Sequence, residues 1–331
     1  MSEHGRRIVF VSEGAGCSPT RYRALAYFPQ LRAAGWRPSH VRVVGLWRRL
    51  ALLQAVRRAD VVVILRKLFS PPFCRLLKAN GRRLIYDFDD ALYVQDDGRP
   101  DPDRTRYFAA MMRHVDAVWA GNPTLAAEAA PFAPALVLPT SLETDKYAGP
   151  STAAADAFDV VWIGSSATRK YLEAILPALA AAAREIPTLR LNIVADFDLP
   201  HAHALGVPTR ATPWTQQHEA AALRNAHVGI APLPDDPWTR GKCGLKILQC
   251  MAAGLPVVAS PVAVQREMVT DALTGFLAAT DDQWLHALRR LHDDPLLRTR
   301  MGTAGRTRVT AGYSVEATFE KMRAALATLT G

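Results

Sequence analysis

The chain has 331 residues, a length that favours two domains, each large enough to bury its own core. Its 40 basic and 31 acidic residues leave a net charge of +9, which suits an anionic substrate, an anionic membrane surface or nucleic acid. No apolar run reaches the roughly 20 residues that cross a bilayer, and no zinc-finger spacing, ribonucleoprotein aromatic motif or lysine tract marks a nucleic-acid module.

The first residues, Met-Ser-Glu-His-Gly-Arg-Arg7, lack the shape of a signal peptide, which predicts a cytoplasmic chain. Apolar runs predict strands at Arg7–Val11, His40–Val44, Val61–Leu65, Leu84–Asp87, Ala117–Ala120 and Leu136–Leu138, with helices at Thr20–Ala34 and Thr124–Ala130 between them. Trp47–Arg58 is an apolar helix flanked by arginine pairs, which either lies on anionic lipid or packs on a sheet. A proline- and alanine-rich stretch at 148–157 reads as a linker. Beyond it, strands at Phe158–Ile163, Leu189–Val194 and His227–Ala231 alternate with helices near Lys170–Glu185 and Gln216–Asn225. The alternation predicts α/β architecture with parallel sheets, whose ligands bind beyond the carboxyl ends of the strands.

Four segments at such places carry chemistry. After the first strand, Gly16, Ser18 and Arg21, with Arg23, form either a phosphate-binding loop or a capped helix start with solvated arginines. After the fourth, Asp87, Asp89 and Asp90 place three carboxylates within four residues, which repel one another unless paired. Gly164, Ser165, Ser166 and Lys170 follow Phe158–Ile163, where hydroxyls at a helix start bind anions. The fourth segment, Arg240-Gly-Lys-Cys-Gly-Leu-Lys-Ile-Leu-Gln-Cys-Met-Ala-Ala-Gly-Leu-Pro-Val-Val-Ala-Ser260, reads as a glycine loop, a helix and a buried strand. It holds Lys242 and Lys246, two of only seven lysines. The cysteines Cys17, Cys74, Cys243 and Cys250 show no C-x-x-C pair; Cys243 and Cys250 read as packing residues, and the scattered histidines form no metal-ligand pattern.

This last segment resembles the donor motif of GT-B glycosyltransferases of the family 4 type (glycosyl transferases group 1), E-x-F-G-L-x-x-x-E-A-M-A-x-G-x-P-V-V-A-S. Gly244-Leu245, Met251-Ala252, Gly254 and Pro256–Ser260 match, while Gly241 and Gln249 stand where the motif has glutamates. A bacterial polysaccharide branch, close to R-G-K-C-G-F-K-x-I-Q-Y-M-A-x-G-x-P-V-V-A-S, matches nearly throughout. The S-x-x-R-Y-R run at Ser18–Arg23 also resembles that branch, and Gly164 and Lys170 resemble the family's V-G-R-L-x-x-x-K-G loop, with Ser165 in place of its arginine.

The resemblance implies GT-B architecture, two Rossmann-like domains facing a central cleft. The acceptor-side domain would span 1–147 and the donor domain 158–312, with a helix at 313–331 packing back on the first. It implies transfer of a sugar from a nucleoside-diphosphate sugar to a glycan or lipid-linked saccharide. The reaction would be retaining and metal-independent, with no cofactor beyond the donor, in cell-surface polysaccharide assembly at the inner face of the membrane. The D-x-D of Asp87-Phe-Asp89 resembles a GT-A metal signature, set aside because the donor motif is of GT-B type. Lys242 and Lys246 would stabilise the leaving diphosphate. Gly244, Leu245 and Gln249 would line the nucleotide site, with Gln249 holding ribose through neutral hydrogen bonds. One aspartate of the cluster would orient or deprotonate the acceptor hydroxyl. A nucleotide-sugar 2-epimerase of GT-B-like fold and a degenerate binding protein are the alternatives.

Overall fold

The computed structural model describes residues 5–43 and 47–331. The chain divides into two units, one of Met1–Leu142, Asp236–Cys243 and Val315–Gly331, the other of Glu143–Asp235 and Gly244–Ser314. The interdomain boundary therefore falls before residue 143, and Asp236–Cys243 belongs with the first unit.

The first unit is built on six parallel strands, β1 (Arg6–Ser12), β2 (Trp36–Arg42), β3 (Val61–Leu65), β4 (Leu84–Phe88), β5 (Ala117–Ala120) and β6 (Ala135–Val137). Their order is β2-β1-β3-β4-β5-β6. The order reverses between β1 and β3, so their carboxyl ends flank the crevice where such sheets bind ligands. β3 and β4 are buried at every position, as expected for parallel strands covered on both faces. One face packs Ile8, Phe10 and Val63 against Tyr27, Leu31 and the C-terminal helix residues Val315, Phe319 and Met322. The other packs Val9, Val62 and Tyr86 against Leu52, Val56, Leu77, Phe108 and Met111. Leu52 and Val56 thus put the apolar face of the helix Trp47–Arg58 on the sheet, the second of its two readings; the side chains of Trp47, Arg48 and Arg49 lie outside the described residues.

In this unit two expectations need correction. β2 covers Trp36–Arg42 rather than His40–Val44, because its register on β1 starts at Arg6↔Trp36 along a polar edge strand with no apolar run to mark it; Val44 lies outside the described residues. The helix predicted over Thr20–Ala34 is broken at Ala24, whose φ of −131° and ψ of −68° are not helical, and restarts at Phe28–Ala33 with Pro29 in its first turn. Proline suits that first turn but cannot continue a helix behind it.

The second unit has strands β7 (Phe158–Ile163), β8 (Leu189–Ala195), β9 (Thr209–Pro213), β10 (Val228–Ala231), β11 (Val257–Ala259) and β12 (Gly275–Leu277), in the order β12-β11-β10-β7-β8-β9. Counted from β7, this is the dinucleotide-fold order 3-2-1-4-5-6, and its reversal lies between β7 and β10. Val160, Trp162, Leu191, Ile193, Ile230 and Val258 form the core with helix residues Leu176, Leu179, Trp284 and Leu288. The helix predicted near Lys170–Glu185 is two, Arg169–Glu173 and Leu176–Glu185, with Pro177 at the second start. β9 is mostly exposed and carried no apolar run by which to predict it.

Among the described residues no helix is long and apolar enough to cross a membrane.

The half-buried ring of His227 accepts a hydrogen bond at Nδ1 from the backbone N–H of Asp159, at 3.0 Å. Burial, then the charge of Arg298 and more weakly Arg190, lowers its pKa below 6.5, against an opposing pull from Asp159. The unfolded chain therefore binds this proton more readily. The contribution is intact above pH 6.5 and is lost as pH falls toward the lowered folded value. A His227→Asn variant keeps an acceptor without the titration. In denaturant melts at pH 7.5, 6.5 and 5.5 its stability should fall less with acid than that of the wild type.

Candidate active site

In the first unit the three carboxylates that end β4 meet three cations. Both oxygens of Asp87 accept from Arg23, Nε at 2.5 Å and Nη2 at 2.8 Å. Arg23 also donates to the carbonyl of Leu138 and to Thr140 Oγ1, at 3.0 and 3.4 Å. Asp87 and Arg23 are buried almost completely. Burial alone would lower the Arg23 pKa, but Asp87 outweighs it and holds the guanidinium charged; burial raises that of Asp87, with Arg23 opposing. Arg23 is thus committed to a carboxylate, which excludes the phosphate reading considered for it. Asp87 and Arg23 are one internal structural unit.

Asp90 accepts from Arg66 Nη2 at 2.6 Å and from Lys242 Nζ at 2.8 Å. Asp89 stands 3.3 Å from Arg66 Nη1 through Oδ1, an atom that makes no hydrogen bond. Arg66, directly after β3, has a left-handed φ of 57°, uncommon outside glycine, and its N–H donates to the carbonyl of Asp87 at 2.8 Å. That conformation turns its guanidinium back over the end of β4. Lys242 also lies over the Trp238 ring, 4.3 Å from its centroid.

Asp236–Cys243 is fastened to this unit by Asn122. Its Oδ1 caps the helix Pro123–Ala129 at Leu125 N (2.8 Å), and its Nδ2 donates to the carbonyls of Arg240 (3.1 Å) and Lys242 (3.0 Å). A Cβ on Gly241 would lie 2.5 Å from the backbone nitrogen of Ala91, so no glutamate fits where the motif has its first. Asp236 accepts from Thr239 N at 2.8 Å, just before the turn Thr239–Gly241. Cys243 is buried, and burial, then the charge of Asp89, pushes its thiol well above the ordinary value. It packs there as a thiol. Gly16 is exposed with open space around it, Ser18 starts the helix Ser18–Arg23, and Arg21 lies over Tyr22, 5.2 Å from its centroid.

In the second unit Lys246, in the first turn of the helix Leu245–Ala252, extends to the carboxyl end of β7. Its Nζ donates to Thr168 Oγ1 at 3.0 Å and stands 4.1 Å from the Trp162 ring centroid. A Cβ on Gly164 would come 2.7 Å from that ammonium. Gly244, at φ 67°, turns the chain into the helix, and Leu245 follows as its first residue. Ser165 and Thr168 form a reciprocal cap, and Ser166 donates to Asp196 through N at 2.7 Å and Oγ at 3.0 Å, which lowers the Asp196 pKa. Lys170 is exposed beside Tyr171, and Arg169 pairs with Glu173 at 2.8 Å. Gln249 is buried, its Nε2 donating to Tyr147 OH and Glu219 Oε2 at 3.2 and 3.3 Å. Among the described residues no group of three or more His, Cys, Asp or Glu has metal-holding geometry.

Sequence reasoning missed Arg66, Asn122 and Glu219. Asn122 was signalled by its place before Pro123, an N-cap pattern; Arg66 and Glu219 carried no local signal.

An Asn122→Ala variant should be about 2–3 kcal/mol less stable, from a lost cap and two lost donors. It should also exchange the amides of 239–243 faster. Asn122→Asp, which keeps the cap oxygen and loses the donors, should show the faster exchange too, read by hydrogen–deuterium exchange.

Residues 157–294 match the family Glycosyl transferases group 1. A D-inositol 3-phosphate glycosyltransferase of Streptomyces avermitilis is 30% identical over 168 residues, a stretch that covers 45% of this chain and 35% of that protein. Sucrose-phosphate synthase from Thermosynechococcus elongatus superposes over 98% of this chain and 99% of its own, with a TM-score of 0.75 at 18% identity. Anabaena HepE in complex with UDP and glucose superposes over 98% of this chain and 100% of its own, with a TM-score of 0.75 at 13% identity. With its two parallel sheets and these superpositions the chain has the GT-B fold, and its residues 157–294 resemble the glycosyl transferases group 1 family.

Proposed function

We propose that the protein transfers a sugar from a nucleoside-diphosphate sugar to a saccharide or lipid-linked saccharide acceptor. The reaction proceeds with retention and without metal, in cell-surface polysaccharide assembly at the inner face of the membrane. The observation that carries the donor half is Lys246, whose ammonium stands beside Gly164 at the carboxyl end of β7, next to the strand-order reversal of the second unit. A compact cation there, with a near-backbone approach at Gly164, suits a diphosphate. The Anabaena protein, solved with UDP and glucose, supports the donor class.

In the proposed step the bond between the sugar's anomeric carbon and the diphosphate oxygen breaks. A bond from the acceptor oxygen to that carbon forms. Lys246 neutralises charge developing on the departing diphosphate, an electrostatic contribution fixed in place before the reaction. Of the three carboxylates, Asp87 is committed to Arg23 and Asp90 to Arg66 and Lys242. Asp89 is the one whose Oδ1 makes no hydrogen bond, and it takes the role of orienting the acceptor hydroxyl and receiving its proton. Lys242 then acts by holding Asp90 and the loop, rather than on phosphate.

Two variants separate these roles. Lys246→Ala should weaken nucleoside-diphosphate binding by about 10- to 100-fold, the loss of one charge-assisted contact. Asp89→Asn should leave that affinity within about twofold and lower turnover by at least roughly 100-fold. Products are read by chromatography with and without acceptor. An epimerised nucleotide sugar formed without acceptor would establish the epimerase instead, and binding with no turnover under any acceptor would favour the binding protein.

A further inference from the structure

We infer that Ser12 and His40 form a pH-sensitive fastener for the loop 13–17, and that the loop is held in full only while His40 is neutral. The loop follows β1, whose carboxyl end borders the crevice at the order reversal of the first sheet. The inference stands apart from the sugar-transfer reading, because every group in it lies in the first unit and no ligand enters the argument.

Ser12 ends β1, and His40 lies two residues before the end of β2. The strands pair in parallel with Phe10 opposite His40 and Ser12 opposite Arg42, so Ser12 and His40 share one face of the sheet. There Ser12 Oγ is the meeting point of three groups. Thr20 Oγ1 donates to it at 2.6 Å, the backbone N–H of Gly14 donates at 3.3 Å, and His40 Nε2 lies 2.7 Å away. Ser12 and Thr20 are buried, and His40 is partly so.

Counting protons gives the direction of the third contact. A hydroxyl offers two lone pairs and one proton. Thr20 and Gly14 occupy both lone pairs, so the Ser12 proton goes to His40 and Nε2 accepts it. The ring is therefore neutral, with its own proton on Nδ1. An imidazolium would instead present an N–H at Nε2 to an oxygen whose lone pairs are both taken. For that N–H to be satisfied, Thr20 or Gly14 has to withdraw. Gly14 makes the longer bond and sits in a loop whose other residues are exposed, whereas Thr20 is buried in the helix Ser18–Arg23. Protonation of His40 thus releases Gly14. Arg42 Nε still donates to the Glu13 carbonyl at 2.9 Å, and Cys17 N to the Gly14 carbonyl at 3.2 Å, so the loop loosens without coming off the sheet.

Burial lowers the pKa of His40 below 6.5 and is the one cause of that shift. The charged groups on the elements around it are Arg37 and Arg42 on its own strand and Arg6 and Arg7 on β1. Glu13, paired with Lys67, lies on the loop, Arg21 and Arg23 on the helix Ser18–Arg23, Arg32 on Phe28–Ala33, and Arg57 and Arg58 on Trp47–Arg58. Because the folded value is depressed, the fastening is intact above pH 6.5 and is lost as pH falls through the folded value.

The test uses the full chain from pH 7.5 to pH 5.0. Nitrogen NMR of the histidine rings reads the tautomer and titration of His40, and amide hydrogen exchange, corrected for intrinsic rates, reads residues 14–17. At pH 7.5 the ring should carry its proton on Nδ1. As it titrates, protection of the loop amides should fall about 3- to 10-fold with the same midpoint, the loss of one hydrogen bond. His40→Gln, which keeps an acceptor and does not titrate, should hold its protection across the range. Ser12→Ala should show the lower protection at both ends of it. A proton on Nε2 at pH 7.5, a ring that stays neutral down to pH 5.0, or a titration that leaves the loop amides unchanged would overturn the inference. So would an equal loss of protection in His40→Gln. The tautomer and the two midpoints are read on the wild type alone, so they decide the matter even if a variant fails to fold.

Discussion

Three carboxylates at the end of one buried strand repel one another, and much of the first unit can be understood as the arrangement that pairs them with cations. Asp87 sits inside the sheet and takes the whole of the Arg23 guanidinium. Removing one member of such a buried pair commonly costs about 3–5 kcal/mol, because the other is left charged without a partner. Asp89 and Asp90 share Arg66, held in a left-handed conformation just beyond β3. Asp90 also takes Lys242, on a loop that Asn122 fastens from below. This division of cations leaves Asp89 as the carboxylate with a buried oxygen outside any hydrogen bond, 3.3 Å from Arg66.

The second unit meets a similar constraint with different parts. Its strand order brings the loops after β7 and β10 to the reversal point, and the glycine-led helix that follows carries Lys246 to the first of them. Beside that helix the buried Glu219 carboxylate accepts from Lys146, Tyr147, Trp214 and Gln249. The two absent motif glutamates have separate physical causes. Position 241 has no room for a side chain against Ala91. Position 249 faces a carboxylate already in place.

Legibility in the sequence followed burial. Val61–Leu65 and Phe158–Ile163 were bounded correctly because both are buried parallel strands, which read as unbroken apolar runs. The edge strands β2 and β9 were misplaced or missed because their exposed faces carry polar residues. The residue types of the site were visible in the loops, but their partners were not. Nothing local to Asp87 points to Arg23, or near Gln249 to Glu219, because those contacts arise from the sheet topology and from packing between distant segments. The fold was therefore readable from periodicity and motif, whereas the assignment of each charge required the three-dimensional arrangement.

The central claim is a nucleoside-diphosphate sugar bound without metal, and ligand-induced thermal stabilisation tests it most directly. Melting temperatures would be recorded with UDP, GDP, dTDP, CMP and ADP and their sugar conjugates, each with and without EDTA, since a ligand bound by the native state raises the transition by mass action. The account predicts that one nucleoside diphosphate and its sugar conjugate stand out, by the same shift in EDTA. No shift from any of them at millimolar concentration, or a shift abolished by EDTA, would contradict it.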